Sequence, residues 1–335
     1  MVTFLTGATG FIGGAVLDRL LRDGERVLTL ARREEAARHL AAKGAQPVLG
    51  DLLSPASYLE ALRGSDLVIH AAGLNVFCPA DPRPLYEVNI EGTRALLQAA
   101  GEVGVKRIVY TSSAVTIGEP PGHVAQEGMT HRGTFLSHYE RTKYEAEQVA
   151  LDLARQGLPV VILNPCSVQG PGRLHGSARI FLDYLNGRLP FMCGDRFSFL
   201  YIEDCVNAHL NAREMGRVGE RYLLSGASVN PQELLETLED VTGIRKRVWQ
   251  VGPKLALAFG AGMEWGDRLR GRRPRFCLEL IRTILHGGRY DSSKAERELQ
   301  VSFTSLREMV IRTVAWYAEA GHLKQPLPRL ASGRS

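Results

Sequence analysis

Nowhere in the 335 residues does an uninterrupted apolar run approach the length of a membrane helix, which needs about 20 residues. A spanning segment is therefore not expected. The opening MVTFLTGATGF places no basic residue ahead of an apolar stretch. That argues against a secretory leader and predicts a cytoplasmic protein. Cysteine is scarce. The five copies (Cys78, Cys166, Cys193, Cys205, Cys277) never fall in a CxxC spacing, and an odd, dispersed set predicts free thiols in a reducing compartment. The nine histidines form no HxxxH pair, so no metal site is expected. Neither sign of charge dominates, the net being +5. The densest basic patch, RLRGRRPRF at 268–276, reads first as a solvated loop and second as a patch that attracts an anion. No nucleic-acid fold signature accompanies it. There is no internal repeat and no low-complexity tract.

What remains is an ordinary globular composition, 44% hydrophobic and 23% charged. Short apolar runs at 2–6, 26–31, 46–49, 66–70, 107–111 and 159–164 read as strands. Amphipathic stretches at about 11–22, 34–42, 55–62, 85–102 and 138–156 read as helices. Strands separated by helix-sized segments predict an α/β fold with a doubly wound parallel sheet. Beyond residue 165 the alternation weakens. Residues 1–165 with about 202–225 are expected to form the sheet domain. Residues 166–201 and 226–335 are expected to form a smaller, mostly helical substrate region. The last ten residues read as a frayed tail.

The stretch TGATGFIG (6–13) lies between the first strand and the first helix. Glycines at 7, 10 and 13 allow a tight turn and a close backbone approach. The free N–H groups of the helix then face a pyrophosphate. The second strand ends in Arg32 and Arg33, where an acidic residue would bind the ribose hydroxyl of NAD. Guanidinium pairs with a 2′-phosphate instead, so NADP(H) is expected over NAD(H). Asp51, ending the third strand, is placed to accept from the adenine amino group.

HYERTKYEAE (138–147) puts Tyr139 and Lys143 four apart on one helix face. Ser137 and Glu140 predict a capping box just ahead. The third member of the set comes from VYTSSA, at the carboxyl end of the fifth strand, with Ser113 preferred and Ser112 in reserve. A phenol has a pKa near 10 and needs nearby positive charge to exchange protons at neutral pH. A serine hydroxyl then stabilises charge that develops on a carbonyl oxygen.

With TGATGFIG, GDL, HAAG, NIEGTRALLQAA, VYTSSA, YERTK, NPCSVQGPG and FLYIEDCVNAH in order along two-thirds of the chain, the sequence resembles the extended short-chain dehydrogenases/reductases. The NAD-dependent epimerases and dehydratases belong to the same superfamily. The resemblance implies a Rossmann fold and a catalytic Ser113, Tyr139 and Lys143, with Lys143 also on the nicotinamide ribose. It implies a cofactor site of Gly7, Thr9, Gly10, Phe11, Ile12, Gly13, Arg32, Arg33, Asp51, Leu52, Ala71, Ala72, Gly73, Asn89 and Thr111, with Pro165, Cys166 and Val168 beside the nicotinamide. It also implies a homodimer through the helices starting near 85 and 138.

Within the family the pattern is most similar to the dihydroflavonol-reductase-like branch. Sugar-nucleotide enzymes carry NxYGPR, and here SVQGPGR has Ser167 for the Asn and Gly172 for the Arg, with Arg173 one step late. The expected activity is NADPH-dependent reduction of a ketone or aldehyde. The alternatives are a sugar-nucleotide epimerase or dehydratase and, behind it, a non-catalytic NADP-binding regulator. Asn75, Phe77, Arg173, Phe197 and Tyr201 are expected in the substrate wall. The apolar segment 251–269 is expected either to line that pocket or to pack on the second region's core.

Overall fold

The computed structural model describes residues 1–329. Positions 330–335, most of the expected tail, lie outside the described residues. The strands are β1 (Val2–Thr6), β2 (Arg26–Ala31), β3 (Gln46–Leu49), β4 (Leu67–His70), β5 (Arg107–Thr111), β6 (Val124–Ala125), β7 (Val160–Pro165), β8 (Ser167–Gln169), β9 (Phe191–Met192), β10 (Phe197–Tyr201), β11 (Arg221–Leu224), β12 (Ala227–Val229), β13 (Trp249–Gln250) and β14 (Arg289–Tyr290). The helices are α1 (Phe11–Arg22), α2 (Glu34–Ala42), α3 (Leu59–Arg63), α4 (Arg83–Tyr86), α5 (Gly92–Glu102), α6 (His138–Arg155), α7 (Ala178–Leu185), α8 (Ile202–Met215), α9 (Pro231–Thr242), α10 (Pro253–Leu269), α11 (Leu278–His286), α12 (Ser293–Leu299) and α13 (Leu306–Glu319). None of the described helices is long and apolar enough to cross a membrane.

Seven strands form one parallel sheet in the order β11-β7-β5-β4-β1-β2-β3. The chain starts in the middle at β1, runs outward through β2 and β3, then returns to the other side of β1 through β4. The strand order therefore reverses between β1 and β4, and ligands of such sheets bind at the carboxyl ends beside that point. Every residue of β4 and β7 is buried, as expected of parallel strands covered on both faces. Phe4 and Leu5 point to opposite faces and enter different cores. One core lies under α1 and α8, the other under α5 and α6. Helix α1 buries Gly13, Val16, Leu17 and Leu20, the inward stripe of a 3.6-residue period. After β7 the chain builds a small sheet of β8, β10 and β12. Helix α8 and strand β11 then return it to the main sheet, with β11 parallel to β7.

Local departures from the sequence reading have local causes. The expected helix 55–62 is a 3-10 turn (Pro55–Ser57) followed by α3, because Tyr58 leaves the helical region at φ −135°. Its hydroxyl instead donates to the Leu52 carbonyl. The expected helix 85–102 runs from Arg83 through a π turn at Glu87–Glu91. The expectation of free thiols throughout is corrected. Cys78 and Cys277 form a disulfide across 199 residues, with Cα atoms 5.7 Å apart. A pairing over that distance is created by tertiary contact and leaves no trace in local spacing. Cys166, Cys193 and Cys205 are free.

Candidate active site

The glycine turn sits at the reversal point. Gly7 adopts φ +76°, and a Cβ there would come within 2.5 Å of the Ala71 carbonyl carbon. A Cβ on Gly13 would lie 2.2 Å from the Gly7 carbonyl oxygen. Side chains are thus excluded where strand, turn and helix meet. Helix α1 begins after Gly10 with no side-chain cap and no acidic residue in its first turn. Its first N–H groups are left for an external anion, as a pyrophosphate site requires. The residues therefore fit a dinucleotide. Arg32 and Arg33 lie exposed at the end of β2, and among the described residues neither guanidinium has an ion pair. Asp51 is exposed, with Oδ1 accepting from the Leu53 N–H. The Leu52 side chain is buried against Gly92.

The cap of α6 is partly as expected. The Ser137 hydroxyl accepts from the Glu140 N–H at 3.1 Å. The Glu140 carboxylate does not return to Ser137; it accepts from Leu136 N–H and pairs with Arg132. Tyr139 therefore stands in the first turn, with Lys143 one turn on. Burial raises the Tyr139 phenol above its usual value, and the Ser113 hydroxyl and the Arg173 charge oppose the rise. Lys143 is 5% exposed. Its Nζ donates to the Tyr110 hydroxyl at 3.2 Å and the Thr111 carbonyl at 3.0 Å. Burial pushes that ammonium down to about 8, and Glu147 partly offsets the effect. The expected Thr111 thus contributes its carbonyl, while its hydroxyl meets His209.

Asn89 sits in the π turn, a backbone irregularity frequent at functional sites. Its amide holds both backbone groups of Leu74 and donates to Thr142. The built Cβ of Gly73 would be 3.3 Å from Asn89 Oδ1 and 3.9 Å from Lys143 Nζ. Gly73, Asn89 and Lys143 therefore converge. Ala71 and Ala72 are bound to Thr6 through their N–H groups. Pro165 ends β7, and the Cys166 thiol beyond it is pushed up to about 12 by burial, so it stays neutral. Val168 is buried in β8.

A second layer escaped the sequence reading. Glu147 is fully buried and accepts from Ser112 Oγ at 2.5 Å, from Thr116 Oγ1 at 2.9 Å and from Asn164, and it pairs with Arg221 at 3.0 Å. This engages the reserve candidate Ser112, while the Ser113 hydroxyl bears on Tyr139. The available signal was spacing, since Glu147 follows Lys143 by one helical turn. His70 was missed as well. It is buried between Thr6 and Thr93, stacks on Tyr110, and is held down to about 3 by burial and by Lys143.

Of the substrate candidates, Phe77 packs its ring 5.5 Å from that of Tyr139. The Arg173 guanidinium carbon lies 5.3 Å from the Phe11 ring, and its Nε is buried without a hydrogen bond. No carboxylate among the described residues pairs with it. Asn75 is exposed on the same loop as Phe77. Tyr201 is corrected: it is 2% exposed, lies within the core and carries Arg312 over its ring, which leaves no face for a substrate. Phe197 is half-buried against the core beside Phe199. Segment 251–269 packs on the second region through α11 and Phe191, but α10 fully buries only Ala256 and Gly260 and leaves most of its apolar side chains exposed.

Residues 3–225 match the family model described as NAD dependent epimerase/dehydratase family. Sterol demethylase protein B of Methylococcus capsulatus is 34% identical, the alignment covering 96% of this chain and 99% of that protein. A putative dihydroflavonol 4-reductase of Synechocystis sp. is 30% identical over 96% of each chain. The crystal structure of gox2253 superposes with a TM-score of 0.82 at 29% identity, covering 96% of this chain and 99% of that one.

Proposed function

The chain belongs to the NAD dependent epimerase/dehydratase family, and on that premise we propose that it is an NADPH-dependent reductase of a ketone or aldehyde, running in reverse as a secondary-alcohol dehydrogenase. The observation that carries this reading is the convergence of Ser113, Tyr139 and Lys143 beside the Gly73–Asn89 edge of the glycine cradle. The glycine turn and the start of α1 would hold the pyrophosphate, Asp51 the adenine, Arg32 and Arg33 the 2′-phosphate, and Lys143 the ribose. When bound, the cofactor supplies or accepts a hydride. Tyr139 gives its proton to the carbonyl oxygen, and its raised pKa keeps that proton available at neutral pH. Ser113 donates to the same oxygen as negative charge develops there. Lys143 places a positive charge under the site. Phe77 offers an apolar wall, and the names of two relatives, a sterol demethylase protein and a dihydroflavonol reductase, support a substrate with an apolar ring body.

A fluorescence titration with NADPH and NADH, with Arg32→Asp alongside, is the first test. Preference for NADPH that collapses in the variant is expected. Equal affinity for the two would place Arg32 and Arg33 in solvent and remove the argument for a reductant. On a carbonyl panel, Tyr139→Phe should then lose about 10²–10⁴-fold in kcat with cofactor affinity retained. Full turnover by that variant would sink the mechanism.

The second reading is a sugar-nucleotide epimerase or dehydratase. One observation favours it: the unpaired Arg173 guanidinium can receive a substrate pyrophosphate. Binding of a nucleotide sugar without consumption of free NADPH would select it. In either case we infer a homodimer through the face of α4, the π turn after it, α5 and α6, where Tyr86, Ile90, Arg94 and Val149 line a groove. Light scattering on the purified protein tests this.

A further inference from the structure

Six of the eleven large apolar side chains that are exposed among the described residues fall within 249–276: Trp249, Leu255, Phe259, Trp265, Leu269 and Phe276. Three of them are linked, since Phe259 contacts both Phe191 and Phe276 and Phe191 pairs with Trp249 across β9 and β13. Helix α10 carries most of the patch. Its packed side buries Ala256 and Gly260 and half-buries Leu257, Met263, Glu264 and Asp267, and a Cβ on Gly260 would come within 2.8 Å of the Ile281 side chain. Its outward side reads Leu255, Ala258, Gly262, Trp265, Leu269, all exposed, in steps of three and four residues. Trp265 is 69% exposed and Leu269 68%. An apolar stripe facing outward reverses the normal amphipathic arrangement, and a contiguous apolar patch of this kind marks an interaction surface.

The run 268–276 adjoins one end of the stripe. Arg270, Arg272 and Arg275 are exposed there without an ion pair among the described residues, while the exposed Arg268 pairs with Glu264. Arg273 is used internally, donating to the carbonyls of Phe77 and Cys78. Both carboxylates of α10 are engaged locally: Glu264 accepts from Leu278 N–H and pairs with Arg268, and Asp267 accepts from Arg275 N–H. Apolar residues including tryptophan, bordered by arginine and free of exposed acid, are the composition of a helix that lies in a lipid interface. We propose that α10 and the arginines after it dock this protein on an anionic bilayer surface.

Charge favours lipid over a second copy of the chain on the same stripe. A parallel copy would set arginines against arginines. An antiparallel copy would set them against Lys254 at the helix start. Anionic headgroups complement the arginines. The docked segment is tied to the candidate site by Cys277, whose disulfide partner Cys78 follows the Phe77 that packs on Tyr139. Docking would bring the mouth of the site to the bilayer, where a substrate with an apolar body dissolves. The surface argument itself does not depend on the proposed reaction.

The test is flotation of the full-length protein with phosphatidylcholine vesicles, with and without phosphatidylglycerol. Partition into the anionic vesicles is expected, weakening as salt rises. Trp265→Glu with Leu269→Glu should lower it roughly tenfold or more. Arg272→Glu with Arg275→Glu should remove the preference for phosphatidylglycerol. All four positions are exposed, so melting temperature and NADPH affinity should be unchanged, which separates failed docking from failed folding. Absence of partition overturns the proposal, and equal binding to neutral vesicles overturns its electrostatic part. Loss of a dimer in light scattering by Trp265→Glu, with no vesicle binding by the parent, would assign the stripe to a second copy instead.

Discussion

Glu147 shows how much of this site depends on a residue that touches no ligand. Its carboxylate, buried on α6, ties β5 through Ser112, β7 through Asn164 and β11 through Arg221. Removing one partner of a buried ion pair leaves the other charge uncompensated. Glu147→Ala is therefore expected to lose about 3–5 kcal/mol of stability, measured by urea denaturation. The same scale holds the pH response. Lys143 titrates near 8 because burial penalises its charged form. Reduction should hold its rate up to about pH 8 and decline above it as that charge is lost. Alcohol oxidation, which needs the Tyr139 phenolate, should not decline in parallel. A reduction rate that stays flat well past that pH would remove Lys143 from the mechanism.

Among the elements, the segment joining β4 to α4 matters most. It carries Asn75, Phe77 and Cys78, and Asn89 fixes its start by binding the Leu74 backbone. Its far end is fixed by the disulfide to the residue preceding α11 and by the two hydrogen bonds from Arg273. Reduction, or Cys78→Ser, frees one end and loosens Phe77 over Tyr139. The expected result is a stability loss of about 2–4 kcal/mol and a rise in KM larger than the fall in kcat. Equal kinetics for oxidised and reduced protein would mean that Arg273 suffices to hold the segment. Helix α6 contrasts with this. Its position follows from its own sequence, through the Ser137 cap and the Tyr139–Lys143 spacing.

For the whole molecule, two histidines that join the main sheet to its helices oppose acid: His70 bonds Thr6 and Thr93, and His209 bonds Thr111. His70 and His209 are buried and neutral, held down to about 3 and about 4 by burial. The unfolded chain binds protons at both near 6.5, so it holds more protons than the native state below that value. Their stabilisation is complete above about pH 6.5 and is lost as pH falls. Each contributes a slope of about 1.4 kcal/mol per pH unit between roughly pH 6 and 5. Buried carboxyls such as Glu140 and Asp204, raised by burial, act in the opposite direction. Denaturant midpoints measured against pH check this, and His70→Gln should flatten the slope.

The sequence alone determined the parallel sheet and its strand positions, because apolar runs, helix periods and glycine spacing act over neighbouring residues. It likewise carried Tyr139 and Lys143, which share one helix face, and the glycine turn, which is one local backbone conformation. Tertiary structure decided what depends on distant segments meeting. Ser112 is engaged by Glu147 reaching across from α6, while the Ser113 hydroxyl bears on Tyr139. The disulfide joins positions 199 residues apart. The burial of Tyr201 and the outward turn of α10 were also beyond the pattern, since hydrophobicity marks a residue as apolar but does not say which surface will cover it.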